Sequence, residues 1–266
     1  MFLINGIWQT QLPASDRAVQ FGDGCFTTAR IINGQVRFLD QHITRLQAAC
    51  QRLGIPFSNT QVLREEMNQV AGEVQNAVLK VIVSRGTGGR GYNPVGCLSP
   101  SRILSVSPMP GFYSDWKKEG VALSLSPIQL GINPALAGIK HLNRLEQVMI
   151  RAHLEQTMVQ ETIVLDSDGM MVECCAANLF WRHGKQVFTP SVALAGVNGT
   201  MRQHIIATLS ARGINVQEIR ASPEVLAQAD EVFICNALMP IIPVRQAPGA
   251  TYTSRELFTC LAPQCE

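Results

Sequence analysis

Short runs of alternating apolar and polar positions open the chain: residues 2–4 and 7–9 flank Asn5-Gly6, and FTTARII and QVRFL flank Asn33-Gly34. Asn-Gly between apolar runs predicts hairpins, because both central positions of such a turn take positive φ, so the chain begins as an antiparallel sheet. The period then lengthens. Ile43, Leu46, Cys50 and Leu53 recur at helical spacing behind Asp40, a candidate cap, and stop at Gly54 and Pro56; Val62, Leu63, Met67 and Val70 mark a second helix over residues 58–72. AVLKVIVSR and RILSVSPMP read as strands on either side of the glycine-rich GTGGRGYNP. Prolines, Gly111 and Lys117-Lys118-Glu119 then predict a linker.

Beyond it the pattern predicts a strand over 120–130 and a helix carrying Leu142, Leu145, Val148, Met149 and Ala152, with Lys140 at its seam. Strands over 162–166 and 171–174, a hairpin near 182–185, a helix out of GVNGTMRQHIIATLSARG and a strand over 215–220 follow. A helix start at Ser222-Pro223-Glu224, the strand EVFICN and a final helix over 254–261 complete the chain. Hairpins mixed with single helices predict an α+β protein with antiparallel and mixed sheets, in two domains, residues 1–108 and 120–266, joined by a linker over 109–119. No repeat of fixed period and no low-complexity tract occurs.

Composition narrows the function. The 266 residues leave room for a substantial core and a buried site. Charged residues make up 16% and the net charge is +2, with the basic residues scattered and aromatics not interleaved among them, so the footprint of a nucleic-acid binder is missing. No apolar run is long enough to cross a bilayer, and MFLINGIWQTQL lacks the basic leader and apolar core of a signal peptide, so a cytoplasmic location is expected. The eight cysteines include no CxxC pair and the five histidines no HxxxH or HExxH, so neither a disulfide framework nor a metal site is spelled out.

What remains is a lysine in an odd place. At a helix start the helix dipole disfavours a cation, so Lys140 in GIKHLNR suggests either an ordinary surface charge or an amine nucleophile. A lysine amine becomes nucleophilic through burial or a positive neighbour, for which Arg144 is a candidate, and its natural partner is an aldehyde or ketone. If that aldehyde is pyridoxal phosphate, a carboxylate for the ring nitrogen, donors for the phosphate and a wall for the ring are also needed. Glu173, on the apolar strand of MMVECCAANLF, is the candidate carboxylate, or else a glutamate paired to an arginine. At an effective dielectric of about 20, such a pair at about 4 Å is worth roughly 4 kcal/mol, enough to keep a pyridine nitrogen protonated. GVNGTMR is a glycine-flanked turn into a helix and suits an anion, or is merely a capped turn. Arg45 interrupts the apolar pattern of HITRLQAACQRL and suits a bidentate phosphate contact, or a solvated helix face. GTGGRGYNP lacks the GK[ST] of a nucleotide loop and is followed by a strand; a flexible loop offering Arg90 to a substrate carboxylate suits it better.

Taken together, FGDGCFTTARIINGQ, HITRLQAACQRLG, VLKVIVSRGTGGRGY, LAGIKHLNRLEQV, VLDSDGMMVECCAANLFW, GVNGTMRQ and DEVFICNALMP resemble the aminodeoxychorismate lyases, within the fold-type-IV pyridoxal-phosphate enzymes. The resemblance runs in order over nearly the whole chain. It implies a two-domain fold-type-IV enzyme with pyridoxal 5'-phosphate as cofactor, Lys140 as the Schiff-base lysine, Glu173 facing the pyridine nitrogen and Arg45 holding the phosphate. Val197 and Asn198 would add backbone or side-chain donors to that phosphate, with Asn236 adding another, and Leu194 would lie against the ring. Thr28 would deliver a proton, and Arg90 would bind a substrate carboxylate. The activity implied is conversion of 4-amino-4-deoxychorismate to 4-aminobenzoate and pyruvate for folate biosynthesis, by a homodimer whose subunits help complete each other's sites. A branched-chain or D-amino-acid aminotransferase of the same fold, and a non-catalytic pyridoxal-phosphate-binding protein, are the alternatives.

Overall fold

The computed structural model describes residues 1–266, which form two compact units: Met1–Pro110 with Ile139–Asn143, and Gly111–Gly138 with Arg144–Glu266.

The first unit is built on a six-stranded antiparallel sheet. Its strands β1 (Phe2–Ile4), β2 (Ile7–Gln9), β3 (Gly24–Ile32), β4 (Gln35–Val36), β5 (Asn76–Ser84) and β6 (Ser101–Ser107) lie in the order β2-β1-β6-β5-β3-β4. Both Asn-Gly hairpins form as the sequence predicts, with φ of 50° and 82° at Asn5 and Gly6 and 52° and 75° at Asn33 and Gly34. A short helix α1 (Arg17–Phe21) precedes β3, and α2 (Leu39–Arg52) and α3 (Thr60–Gly72) follow β4. The latter two bury the expected apolar faces, Ile43, Leu46 and Cys50 from α2 and Leu63, Met67 and Val70 from α3, in one core with the inward side chains of the sheet. Asp40 does not cap α2. That position is Phe38 in left-handed conformation, while Asp40 sits in the first turn and pairs with Arg64 at 2.5 Å.

The second unit carries a nine-stranded mixed sheet. It is entered through α4 (Tyr113–Glu119), so the stretch that reads as a linker is helical; its Phe112, Tyr113 and Trp116 rings lie within 4.5–5.8 Å of one another. The sheet comprises β7 (Val121–Leu125), β8 (Glu161–Leu165), β9 (Met171–Cys174), β10 (Asn178–His183), β11 (Gln186–Pro190), β12 (Val216–Ile219), β13 (Glu231–Cys235), β14 (Ile242–Ala247) and β15 (Ala250–Thr251). Three pairings are parallel, β11 with β12, β14 with β7 and β7 with β8, and the rest are antiparallel. The helices are α5 (Leu145–Leu154), α6 (Thr200–Ser210) and α7 (Glu256–Cys265), with a 3-10 turn at Pro223–Gln228.

Helix α5 inverts the expectation drawn from its apolar spacing. Leu145, Val148 and Met149 point outward, 71%, 61% and 50% exposed, and the helix is anchored instead by Ile150 and Leu154. No helix is long and apolar enough to cross a membrane.

Candidate functional site

Lys140 is placed by an excursion of the chain. Residues 139–143 belong to the first unit and pair with its β3: Cys25 bridges His141, Phe26 N donates to Lys140 O at 2.9 Å, and Leu142 N donates to Gly24 O at 3.0 Å. Ile139 locks the excursion by burying its side chain among Leu46, Val81, Leu104 and their neighbours. Lys140 therefore lies in extended backbone opposite Phe26, with its Nζ 4.6 Å from the centre of that ring.

Side chains two apart along a strand share a face, so Thr28 lies on the same face of β3 as Phe26. Lys80, opposite Thr28 on β5, brings its own Nζ to 5.2 Å from the Phe26 ring. Phe26, Thr28, Lys80 and Lys140 thus form one amine-rich patch. Lys80 is a residue that sequence reasoning missed. Its only signal was a cation among the apolar positions of AVLKVIVSR, and the register that sets it against Thr28 joins residues 52 positions apart.

Arg45, from α2, is tied to β3 through Thr27, the residue between Phe26 and Thr28. Its Nη2 donates to the Thr27 hydroxyl, and that hydroxyl lies 2.6 Å from His42 Nδ1. Burial, reinforced by the Arg45 charge, pushes His42 down to about 3, so its ring is neutral and can accept the Thr27 proton. The chain Arg45–Thr27–His42 fixes the guanidinium, an arrangement with no sequence signature. Arg90 is exposed at the tip of the glycine-rich loop, where the backbones of Arg90 and Asn93 close a tight turn at 3.1 and 3.2 Å.

In the second unit Glu173, 6% exposed on β9, accepts a hydrogen bond from Val197 N at 2.9 Å. Arg144 stands in its field: burial lowers the Arg144 pKa, and the charges of Glu173 and Glu146 oppose that shift. The turn before α6 is tied to the residues leading to the lysine, Gly138 N donating to Gly196 O at 2.9 Å and Asn198 N to Gly138 O at 3.0 Å. The backbone N–H groups of Val197 and Asn198 are thereby spent within the protein. What the turn retains is the Asn198 side-chain amide, whose Oδ1 accepts from Arg202 at 3.1 Å, and the unpaired first N–H groups of α6. Leu194 O accepts from Asn133 N at 2.9 Å. Asn236 spends its side chain within the protein, Oδ1 accepting from Leu238 N and Met239 N of its own loop and Nδ2 donating to Ala176 O between β9 and β10, each at 2.8 Å.

These residues fit a phosphorylated pyridine. The hydroxyl of Thr200, only 4% exposed in the first turn of α6, has no hydrogen-bond partner in the protein, and an anion at that helix start would satisfy it. Asn178 braces the turn, its Nδ2 donating to Val197 O at 2.9 Å and its Oδ1 lying where a Cβ on Gly199 would stand.

A further acid, Glu161, sits at the start of β8 with one oxygen accepting from Ala176 N at 2.9 Å and the other unpaired. Burial pushes it up to about 8, so it is largely protonated at neutral pH.

Comparison with known proteins places the chain as a whole. Residues 24–247 match the family model described as amino-transferase class IV. An aminodeoxychorismate lyase from Vibrio harveyi is 38% identical over 244 residues, covering 92% of this chain and 90% of that protein. The crystal structure of 4-amino-4-deoxychorismate lyase from Pseudomonas aeruginosa superposes with a TM-score of 0.94 at 36% identity, covering 99% of this chain and 97% of that one. A branched-chain amino acid aminotransferase from Escherichia coli shares the fold, with a TM-score of 0.83 at 24% identity over 94% of this chain and 87% of that one.

Proposed function

The chain belongs to the amino-transferase class IV family, and from that premise we propose that it is an aminodeoxychorismate lyase that releases 4-aminobenzoate and pyruvate from 4-amino-4-deoxychorismate. The observation that carries the reading is the pairing of the Lys140 segment with β3, which sets an amine over Phe26 on the strand face that also bears Thr28.

Pyridoxal phosphate, when bound, supplies an aldehyde for an amine to capture and an electron-poor ring that eases proton loss next to the substrate nitrogen. Lys140 would hold the cofactor through its amine and, when that amine is free, would serve as the base that takes the proton from substrate C4. Loss of that proton and of the enolpyruvyl oxygen at C3 makes the substrate ring aromatic, which drives the step forward. The enolpyruvate carbon then needs a proton to give pyruvate; the one Lys140 took from C4 would return to it either directly or through the Thr28 hydroxyl on the same strand face, which passes on one proton as it receives another. Glu173 keeps the pyridine nitrogen protonated, with Val197 N–H fixing the carboxylate. Arg45, the Asn198 amide and the start of α6 hold the phosphate, with Val197 and Asn236 shaping the surrounding loops and Leu194 walling the ring. Arg90 meets one of the two substrate carboxylates.

The purified protein should make both products from aminodeoxychorismate with no keto-acid added; a strict need for an acceptor would favour the aminotransferase reading. Borohydride should fix the cofactor on Lys140, and Lys140→Ala should end turnover, whereas a mere cofactor carrier would keep its role. We further infer a cytoplasmic homodimer. The outward stripe of Leu145, Val148 and Met149 on α5 supports a second copy as its cover. A monomer by sedimentation at working concentration would argue against it.

A further inference from the structure

Arg17 is a cation where the sequence promises none, since long charged side chains rarely go inside unpaired. It is 3% exposed. Each of its three nitrogens is engaged: Nε donates to Asp23 Oδ2 at 2.8 Å, Nη1 to Gly91 O at 2.8 Å and Nη2 to Tyr92 O at 3.4 Å. Its guanidinium carbon lies 4.7 Å from the centre of the Phe21 ring, and Phe21 in turn meets Tyr92 at 5.4 Å. Its backbone joins the same loop, Arg17 N donating to Gly86 O at 2.9 Å beside a bridge between Asp16 and Thr87.

The far end of this clamp is equally fixed. Asp23 also accepts from Arg85 Nε at 2.7 Å, and Arg85 donates to Gly54 O at 2.6 Å and Leu53 O at 2.8 Å, at the end of α2. Burial disfavours the Asp23 charge, but the hydrogen bonds from Arg85 and Arg17 outweigh it and hold the carboxyl below its usual range. The carboxylate therefore stays ionised as the common anchor of two arginines.

The tip of the clamped loop is otherwise largely exposed. Tyr92, Val95 and Leu98 are 88%, 77% and 80% exposed, and Gly88, Gly89 and Gly91 sit at positive φ of 121°, 72° and 56°. Such a tip pays a large entropy cost to adopt one shape. The two carbonyls that Arg17 grips belong to the residues immediately after Arg90.

We propose that Arg17, anchored by Asp23, is a positioning residue that sets the tip of the glycine-rich loop for substrate binding. It rests on the reading of this loop as the carboxylate-binding element of the lyase. Arg17 itself, buried and fully engaged, does not touch substrate.

The test compares Arg17→Lys, Phe21→Leu and Arg90→Gln holoenzymes. Lysine can still reach Asp23 but cannot fork onto both carbonyls, so KM for aminodeoxychorismate should rise about tenfold with kcat within about twofold. Trypsin should also cut after Arg90 faster than in the parent protein. Phe21→Leu leaves the guanidinium bonds and should shift both readouts the same way by less, which keeps the test open if Arg17→Lys folds poorly. An unchanged KM, an unchanged cleavage rate, or kcat falling in step with KM overturns the proposal. Arg90→Gln with unchanged KM would instead sink the role of Arg90, and a raised KM with faster cleavage in Arg17→Lys would still support Arg17.

Discussion

Lys140 and Phe26 face each other twice over: the Phe26 N–H donates to the Lys140 carbonyl at 2.9 Å, and the Lys140 Nζ stands 4.6 Å from the Phe26 ring centre. The backbone bond places the residue and the ring places the amine. The ring is the surface the amine lies against, so Phe26→Leu loosens its placement and should lower turnover by a few-fold to about tenfold while the protein stays folded. The check is steady-state kinetics together with thermal melting. Turnover unaltered in Phe26→Leu would show that the ring does not position the amine.

Thr27 is the hinge of the second arrangement, because its hydroxyl accepts from Arg45 and lies against His42. Thr27→Val keeps the shape and removes both bonds, leaving a buried imidazole nitrogen without its partner at a cost of about 1–3 kcal/mol. The melting temperature should fall, and pyridoxal phosphate should bind the apo-protein about tenfold more weakly, read by absorbance titration. Thr27→Ser should restore most of both. If valine binds cofactor as well as threonine does, Arg45 does not depend on this chain of bonds.

These cases show what the sequence carries and what it does not. Hairpins at Asn5-Gly6 and Asn33-Gly34 are legible because a local turn dictates them. Glu173 and the GVNGTMR turn stand out from residue type and local context, whereas Val197 and Asn198 are named individually only through the family resemblance, and that Val197 N–H is spent on Glu173, 24 residues away, is not legible at all. For Lys140 the local reading is corrected: it does not start a helix, and its place comes from pairing with a strand over a hundred residues earlier. The stripe on α5 misled because periodicity reports that one face is apolar, not which surface covers it. Lys80, Thr27 and Arg17 needed the register of β3 against β5 and the course of a loop, both of which are properties of long-range packing.

Glu161 gives the protein a pH-dependent stability of definite sign. Its folded-state pKa, pushed up to about 8 by burial, lies above the ordinary carboxylate value of 4.5. The unfolded chain therefore releases this proton at lower pH than the folded one, and the contribution is fully present below about 4.5 and lost as pH rises toward about 8. Its size is on the order of a few kcal/mol. Glu161→Gln mimics the protonated acid and should flatten this part of the stability profile, measured by denaturant unfolding between pH 5 and 8 as working limits. A Gln variant with the same slope as the parent would remove Glu161 as its source.

Gly196 sits at φ 81°, and a Cβ built there lies 2.4 Å from Val172 Cγ1 and 3.3 Å from Glu173 Oε2. Alanine at this position meets two penalties, the backbone strain of a left-handed residue, about 1–2 kcal/mol, and a collision with the strand that carries Glu173. Gly213 separates them: it has a similar φ of 76° and nothing within 4 Å of its Cβ position. Gly213→Ala should therefore lower stability through strain alone and leave cofactor binding intact. Gly196→Ala should lower stability further and weaken pyridoxal phosphate binding, because relief of the clash displaces either Glu173 or the Val197 N–H that holds it at 2.9 Å. Equal losses of cofactor affinity in the two variants would mean that the effect is general loosening, and that the Glu173–Val197 bond has no special part in holding the cofactor.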